Sequence, residues 1–214
     1  MIKNLLFDLG GVIMDIRREN CVKAFQELGM SDIGEFLGDY GQKGAFKLLE
    51  EGALTPDEFR AEIMKSCPGG TAGSQIDDAF NQFLVGIPAY RLEALAGLRR
   101  RYGVYLLSNT NKIMWDSRIA EEFRKIPGRE MDSYFDGTVT SFEARALKPS
   151  AEIFGYAVRK LGIVPEETLF LDDSQENIRA AVALGFHGAV VPASGDVDVF
   201  DVINRYLSSA GDVR

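Results

Sequence analysis

Histidine and cysteine are scarce in this sequence. The chain of 214 residues has one histidine, His187, and two cysteines, Cys21 and Cys67. Zinc sites and disulfide frameworks need several such residues at characteristic spacings, whereas these two cysteines are neither close together nor near the histidine. The composition therefore argues against both, and we expect His187, at the start of a predicted strand, to have a structural role.

Basic residues are fewer than acidic ones, and long apolar runs are lacking. Lys and Arg number 24 against 32 Asp and Glu, giving a net charge of −8, whereas nucleic acids and anionic membranes favour basic surfaces. No run approaches the roughly 18 apolar residues that span a bilayer, and Asp8 interrupts the N-terminal segment before the apolar core of a signal peptide could form. We expect a soluble, cytoplasmic monomer or homodimer without nucleic-acid or membrane partners.

Short, continuous apolar runs indicate buried parallel strands. The runs are 3–7, 104–107, 168–171 and, more weakly, 188–191. Segments of helical pattern, approximately 89–101, 150–161 and 176–184, separate or follow them. This alternation predicts an α/β fold with a parallel sheet.

The pattern between the first strand and Pro88 differs, because it contains amphipathic helices without strands. Thr55-Pro56-Asp57-Glu58 has the order of a capping threonine, a proline in the first turn and a reciprocal glutamate. We therefore predict an α/β core from residues 1–14 and 89–214, with residues 15–88 forming a helical insert.

Polar residues follow three of the predicted strands. Asp8 ends the first, Ser108-Asn109 the second and Asp172-Asp173 the third. Ligands of open α/β sheets bind beyond the carboxyl ends of the strands, so these residues should meet in one crevice. An acidic protein can hold a phosphorylated ligand there only if local cations overcome its net charge.

Four ordered motifs resemble those of the haloacid dehalogenase superfamily. They are Phe7-Asp8-Leu9-Gly10-Gly11, Leu107-Ser108-Asn109-Thr110, Leu147-Lys148-Pro149 and Leu169-Phe170-Leu171-Asp172-Asp173. The resemblance implies a three-layer Rossmann-like core with a helical cap, and an Mg²⁺-dependent phosphatase in which Asp8 is the nucleophile. The second and third motifs look most like those of sugar-phosphate phosphatases, the subgroup that includes glucose-1-phosphatase.

A carboxylate attacks a phosphate dianion only when a cation cancels the repulsion, and Mg²⁺ takes oxygen ligands. We expect Asp8, the Gly10 carbonyl and Asp173 to bind Mg²⁺ directly. Asp172 is expected to contact these ligands rather than the ion, or to reach the ion through a water molecule. The alternative for the acidic pair is that Asp173 or Ser174 caps the following helix.

Phosphate is expected to be held by Ser108, Asn109 and Lys148. The polar pair could instead cap a helix, as both residue types do readily. Because Lys148 precedes a proline suited to a first helical turn, we expect its ammonium at a helix N-terminus; a solvated surface lysine is the alternative.

Gly10 departs from the family pattern, which usually has a second aspartate there as general acid and base. Such assistance is worth about 10² to 10⁴ in rate, so we expect slow turnover of alkyl phosphates unless another residue substitutes. Asp15 is a weak candidate, since the family usually has an acidic residue there as well. Three alternatives stay open: a catalytically weak relative that binds phosphate or a partner, an enzyme for acyl phosphates or anhydrides, and, least favoured, a metal-independent 2-haloacid dehalogenase.

Overall fold

The computed structural model describes residues 1–38, 41–192 and 197–211. Its helices and strands are, in chain order, β1 (Asn4–Phe7), β2 (Asp15–Ile16), α1 (Arg18–Glu27), α2 (Gly44–Glu50), α3 (Pro56–Met64), α4 (Gly73–Asn81), β3 (Leu84–Gly86), α5 (Ala89–Leu98), β4 (Gly103–Ser108), α6 (Lys112–Met114), α7 (Ala120–Phe123), β5 (Gly137–Thr140), α8 (Ser141–Ala144), α9 (Ala151–Leu161), β6 (Thr168–Asp172), α10 (Gln175–Ala183), β7 (His187–Val190) and α11 (Val199–Gly211). A π-helical turn, Trp115–Ile119, joins α6 to α7, and short 3₁₀ turns occur at Ile33–Glu35, Met131–Ser133 and Pro165–Glu167.

The central sheet has five parallel strands in the order β5-β4-β1-β6-β7. This confirms the predicted α/β class and the four predicted strands. Strand β5 was missed because its sequence, Gly-Thr-Val-Thr, contains no continuous apolar run. The chain fills one half of the sheet with β4 and β5, then crosses to β6 and β7, so the topological switch lies between β1 and β6, where ligands of open α/β sheets bind.

Helices cover both faces of the sheet and form three layers. Leu5 and Phe7 point to the face where α5 and α11 pack, whereas Leu6, between them, points to the face covered by α9 and α10. Alternate residues of β1 thus enter two different apolar clusters, as the side-chain period of a strand requires. Among the described residues, no helix combines the length and apolarity needed to cross a membrane.

The segment between β1 and α5 is a helical insert, which we define as residues 15–88. Its interior is a cluster of edge-to-face and stacked rings from Phe25, Phe46, Phe59 and Phe80, with centroid distances of 5.1–6.2 Å. The predicted capping box is confirmed, since the Thr55 hydroxyl accepts a hydrogen bond from the Glu58 backbone N–H. The expectation that this segment has no strands was wrong.

Strands β2 and β3 pair with each other in an antiparallel ribbon. Asp15 lies opposite Gly86, so the ribbon brings the two ends of the insert together. Because β2 has only two residues, it gives no periodic signal in the sequence. The division of the chain into core and cap at residues 14 and 89 stays a prediction.

Candidate active site

Asp8, Asp172 and Asp173 converge at the topological switch. Residues Phe7 and Leu171 are paired in register on the adjacent strands β1 and β6, and the Asp8 backbone N–H continues this pairing by donating to the Leu171 carbonyl at 2.8 Å. The carboxyl groups that follow are therefore delivered to the same level. One oxygen from each of the three acidic residues lies within 4.8 Å of the others.

Lys148 lies between two of these carboxyl groups. Its ammonium is 2.7 Å from Asp8 Oδ1 and 2.6 Å from Asp172 Oδ2, and the lysine is buried. The alternative of a solvated surface lysine is thereby wrong. Pro149 does not lie in the first turn of a helix, as the sequence suggested, because α9 begins at Ala151 after the N-cap Ser150. A cis peptide bond joins Lys148 to Pro149 in the loop before this helix.

Asp172 and Asp173 have different surroundings. Asp172 is fully buried, and both of its oxygens accept hydrogen bonds: Oδ1 from the Ser174 backbone N–H at 2.8 Å and from Asn177 Nδ2 at 3.0 Å, and Oδ2 from the lysine. Asp173 is half-buried and, together with Asp8, lines a cavity of about 90 Å³. Asp172 therefore orients its neighbours, while Asp173 is open to a ligand.

The helix-cap alternative applies only to Ser174. Its hydroxyl accepts from the Asn177 backbone N–H at 3.4 Å at the start of α10. Asp173 precedes this cap and faces the cavity instead. The acidic pair is therefore not explained by helix capping.

The electrostatics of this cluster favour a bound cation. Burial raises the pKa of Asp8 to about 7 against the attraction of Lys148, and the carboxylates of Asp172 and Asp173 add to the rise. Burial and the adjacent Asp172 likewise raise the pKa of Asp173 to about 6. Burial alone would lower the pKa of Lys148, but its two acidic neighbours outweigh burial and raise it.

Charge counting leads to the same conclusion. Three carboxylates against one ammonium leave an excess of two negative charges when all are ionised. One divalent ion cancels that excess, and hard oxygen donors suit Mg²⁺. The residues present therefore fit a magnesium site made by Asp8 and Asp173, with the Gly10 carbonyl nearby, which accepts no hydrogen bond from a described residue.

Two adjacent glycines form the turn after β1, and they differ in whether the structure has room for a side chain. Gly11 has φ +75°, and a Cβ at this position would lie 2.5 Å from Asp173 Oδ2. Gly10 has ordinary φ, and its Cβ would meet only Ile16, at 3.5 Å. The fold therefore requires glycine at position 11 and merely tolerates it at position 10.

Ser108 and Asn109 follow β4 beside this turn. The Asn109 side chain exchanges two hydrogen bonds with the Lys148 backbone, donating to its carbonyl at 3.1 Å and accepting from its N–H at 2.9 Å. This exchange fixes the lysine loop. The Ser108 hydroxyl is buried and makes one long hydrogen bond, 3.4 Å, to the Asn109 carbonyl, which leaves it able to donate to a ligand. Neither residue caps a helix, and binding of phosphate by the pair stays a prediction.

Glu50, the last residue of α2, was not identified from the sequence. It lines the 90 Å³ cavity with Asp8 and Lys148, although it belongs to the insert. Burial, with a contribution from Glu51, raises the pKa of Glu50 to about 8. Two consecutive glutamates at a helix end normally indicate a solvated surface, so the sequence gives no signal for this position.

Asp15 and His187 do not join the site. Asp15 is half-exposed, pairs with Arg91 at 2.7 Å, and lines a neighbouring cleft with Asp173 rather than the 90 Å³ cavity. His187 bonds Tyr206 and the Glu166 carbonyl at the start of β7, which confirms its structural role.

A comparison with known protein families identifies the family of this chain. A family model described as haloacid dehalogenase-like hydrolase matches residues 2–185. The chain belongs to this family. The resemblance inferred from four short motifs is thus confirmed over most of the length of the chain.

Several relatives of this haloacid dehalogenase-like hydrolase are known. It is 39% identical over 186 residues to the D-ribitol-5-phosphate phosphatase of Bacteroides thetaiotaomicron, a match that covers 87% of this chain and 90% of the relative. It is 41% identical to a wild-type family enzyme of Bacteroides thetaiotaomicron crystallised with magnesium and inorganic phosphate, with a TM-score of 0.85 and coverage of 92% and 97%. A predicted family hydrolase from Porphyromonas gingivalis gives a TM-score of 0.86 at 36% identity, covering 97% and 98%.

Proposed function

We propose that this hydrolase is an Mg²⁺-dependent phosphatase of small phosphorylated metabolites, with Asp8 as nucleophile. The observation that carries the proposal is the set of three carboxyl groups within 4.8 Å of one another, bridged by a buried lysine at the topological switch of the sheet. An excess of negative charge at this point disfavours folding unless a cation binds. The relatives that contain magnesium and phosphate support the same assignment.

The residues of the site divide the tasks of this reaction. Asp8 attacks phosphorus and takes the phosphoryl group as an aspartyl phosphate, which water then hydrolyses. Lys148 fixes one oxygen of Asp8 and supplies positive charge to the phosphoryl oxygens. Asp8, Asp173 and the Gly10 carbonyl would hold Mg²⁺, which would neutralise the repulsion between nucleophile and phosphate. Ser108 and Asn109 border the position of the phosphate.

We infer that the substrate is a polyol or sugar phosphate. The D-ribitol-5-phosphate phosphatase supports this class. The insert also contributes Gln42 to the cavity wall, where its side-chain amide is available to hydroxyl groups of such a substrate. The insert therefore serves as the cap that selects the substrate.

A panel of phosphorylated metabolites, assayed with Mg²⁺ and with EDTA, tests the function. The panel includes ribitol 5-phosphate, glucose 1-phosphate and acetyl phosphate, and each is repeated with Asp8→Asn. Asp201→Asn, at an exposed position of α11, is the matched control. We expect hydrolysis only with Mg²⁺, lost in Asp8→Asn by about 10³-fold or more and retained in the control. Hydrolysis in EDTA, or by Asp8→Asn at the wild-type rate, would refute the proposal.

Gly10 favours a second candidate, a relative that binds phosphate with little turnover. In that case no compound in the panel is hydrolysed, yet inorganic phosphate raises the melting temperature in the presence of Mg²⁺. The dehalogenase alternative is distinguished by chloride release from 2-chloropropionate without metal.

A further inference from the structure

We propose that Glu50 donates the proton to the leaving oxygen, in place of the aspartate that the family usually has at the position of Gly10. This inference rests on the proposed phosphatase function. The ionisable groups that line the cavity are Asp8, Glu50, Lys148 and Asp173. The nucleophile and the metal ligand have other tasks, and the lysine is held by two acidic partners. Glu50 is the remaining group among them.

The packing of α2 places Glu50 over the strand ends. Phe46, one helical turn earlier, belongs to the aromatic cluster of the insert, so Glu50 lies on the buried side of the same helix. Two residues later, Gly52 approaches the core so closely that a Cβ would lie 2.3 Å from the Phe142 carbonyl oxygen. Glycine at this position, with φ +67°, lets the end of α2 dock on the core.

The position of Glu50 fits the leaving oxygen. Glu50 lines the cavity that contains Asp8 and also a second cavity of about 50 Å³, whose walls include Ser108 and Phe83. Gly10 borders both as well. In-line displacement places the leaving oxygen on the side of phosphorus away from the nucleophile. The nucleophile belongs to the core, whereas the insert contributes Ile16, Gly41, Gln42 and Glu50 to the cavity wall. Glu50 is the ionisable group among these four, so we place the leaving oxygen beside it.

The surroundings of Glu50 keep its carboxyl group protonated and without a hydrogen-bond partner among the described residues. Its carboxyl group makes no hydrogen bond or ion pair with any residue that the structure describes. Burial raises its pKa to about 8, with Glu51 adding repulsion, so it carries a proton at neutral pH. An acid catalyst must hold its proton before the reaction and be free to give it up.

The proton transfers balance over the two steps. In the first, the bond from Asp8 to phosphorus forms, the bond to the leaving oxygen breaks, and the Glu50 proton moves to that oxygen to give an alcohol. In the second, the oxygen of a water molecule bonds to phosphorus, the bond from Asp8 to phosphorus breaks, and the Glu50 carboxylate accepts the proton that the water loses. Inorganic phosphate leaves, and both carboxyl groups return to their initial states.

Glu50→Gln tests this role, with Glu27→Gln, at an exposed position of the insert, as the control. The two probes are phenyl phosphate, whose leaving group has a pKa near 10 like tyrosine, and p-nitrophenyl phosphate, whose leaving group is more acidic and needs little protonation. We expect Glu50→Gln to lower kcat for phenyl phosphate by roughly 10²-fold and that for p-nitrophenyl phosphate by less than about 10-fold. Glu27→Gln should leave both rates near wild type. Equal loss for the two probes, or no loss, overturns the proposal.

Rescue and folding controls make the outcome specific. Adding Gly10→Asp to Glu50→Gln should restore turnover of phenyl phosphate, because the new Cβ fits beside Ile16. The melting temperature of Glu50→Gln is measured in parallel, so a folding defect is recognised as such. Neither probe has hydroxyl groups, so a raised KM confined to polyol phosphates would assign Glu50 to substrate recognition instead and overturn the proton role. If Asp8→Asn retains activity, the phosphatase function itself fails, independently of Glu50.

Discussion

Lys148 Nζ lies 2.6 Å from Asp172 Oδ2, although 24 positions separate the two residues in the chain. Both are buried, and Asn177 holds the same carboxylate from α10. The contact joins the loop before α9 to the end of β6. It thereby fixes a positive charge at the strand ends, beside Asp8.

Removing the charge of Lys148 should destabilise the protein in the absence of metal. Lys148→Met leaves the carboxyl groups of Asp8 and Asp172 buried without their cation, which costs about 3 kcal/mol or more. Urea unfolding at neutral pH measures the loss, and Mg²⁺ should recover more stability in the variant than in the wild type. The control is Lys160→Met, which breaks an exposed pair with Glu143 and should cost under about 1 kcal/mol. Equal effects of the two substitutions would contradict the central role of Lys148.

The two glycines of the turn after β1 should respond differently to alanine. Gly11→Ala forces a left-handed residue and a clash with Asp173, so we expect a loss of about 1–3 kcal/mol and of the stabilisation by Mg²⁺. Gly10→Ala meets only ordinary contacts and should retain both. Thermal melts with and without Mg²⁺ distinguish the two variants. A Gly11→Ala protein that Mg²⁺ stabilises normally would show that the turn does not set the position of Asp173.

Gly10→Asp should accelerate hydrolysis of alkyl phosphates most where Glu50 cannot supply the proton. The substitution restores an acid at the position where the family usually has one, and the site has room for it. In the Glu50→Gln background we expect a gain of about 10-fold or more for ribitol 5-phosphate, and a smaller one for acetyl phosphate, whose leaving group needs no proton. In the wild type, where Glu50 already donates, the gain for both substrates should be below about 10-fold. Steady-state kcat values for the two substrates give the ratio. A uniform gain or loss would mean that the aspartate acts by some route other than proton transfer.

The stability of the wild type should fall with rising pH in a way that depends on Glu50. The folded protein keeps the Glu50 proton up to about pH 8, whereas the unfolded chain loses it near 4.5. The unfolded state binds fewer protons between these values, so stability decreases as pH rises through this window. Glu50→Gln removes the contribution of Glu50 to the pH dependence of stability, while those of Asp8 and Asp173 remain in both proteins.

Urea unfolding at about pH 5 and about pH 8 measures the difference. The wild type should lose more stability than Glu50→Gln by over about 1 kcal/mol. Parallel curves for the two proteins would show that Glu50 ionises normally in the folded state.

The strand ends were predictable because local sequence determines them. A continuous apolar run such as Leu5-Leu6-Phe7 forms a buried strand, and parallel strands place the residues that follow at one edge of the sheet. Asp8 and Asp172 could therefore be assigned to the same crevice without coordinates. The sequence predicted that Lys148 lies in this crevice, but not which carboxyl groups it contacts. No local pattern specifies the path of the loop before α9, which includes the cis peptide bond to Pro149.

The contribution of the insert was not predictable. Glu50 is buried because α2 docks on the core through Gly52 and Phe142, which are 90 positions apart. No periodicity within α2 encodes that contact, and an acidic helix end is usually solvated. Strand β5 was missed for a simpler reason, since its glycine and threonines lack the apolar pattern of the other strands.

The central claim is that Asp8 carries the phosphoryl group between the two halves of the reaction. The direct measurement is acid quenching of the enzyme during turnover of ribitol 5-phosphate with Mg²⁺, followed by peptide mapping by mass spectrometry. We predict a phosphoryl group on Asp8, absent with EDTA and in Asp8→Asn. Phosphate bound covalently to any other residue, or continued turnover by Asp8→Asn, would contradict the account.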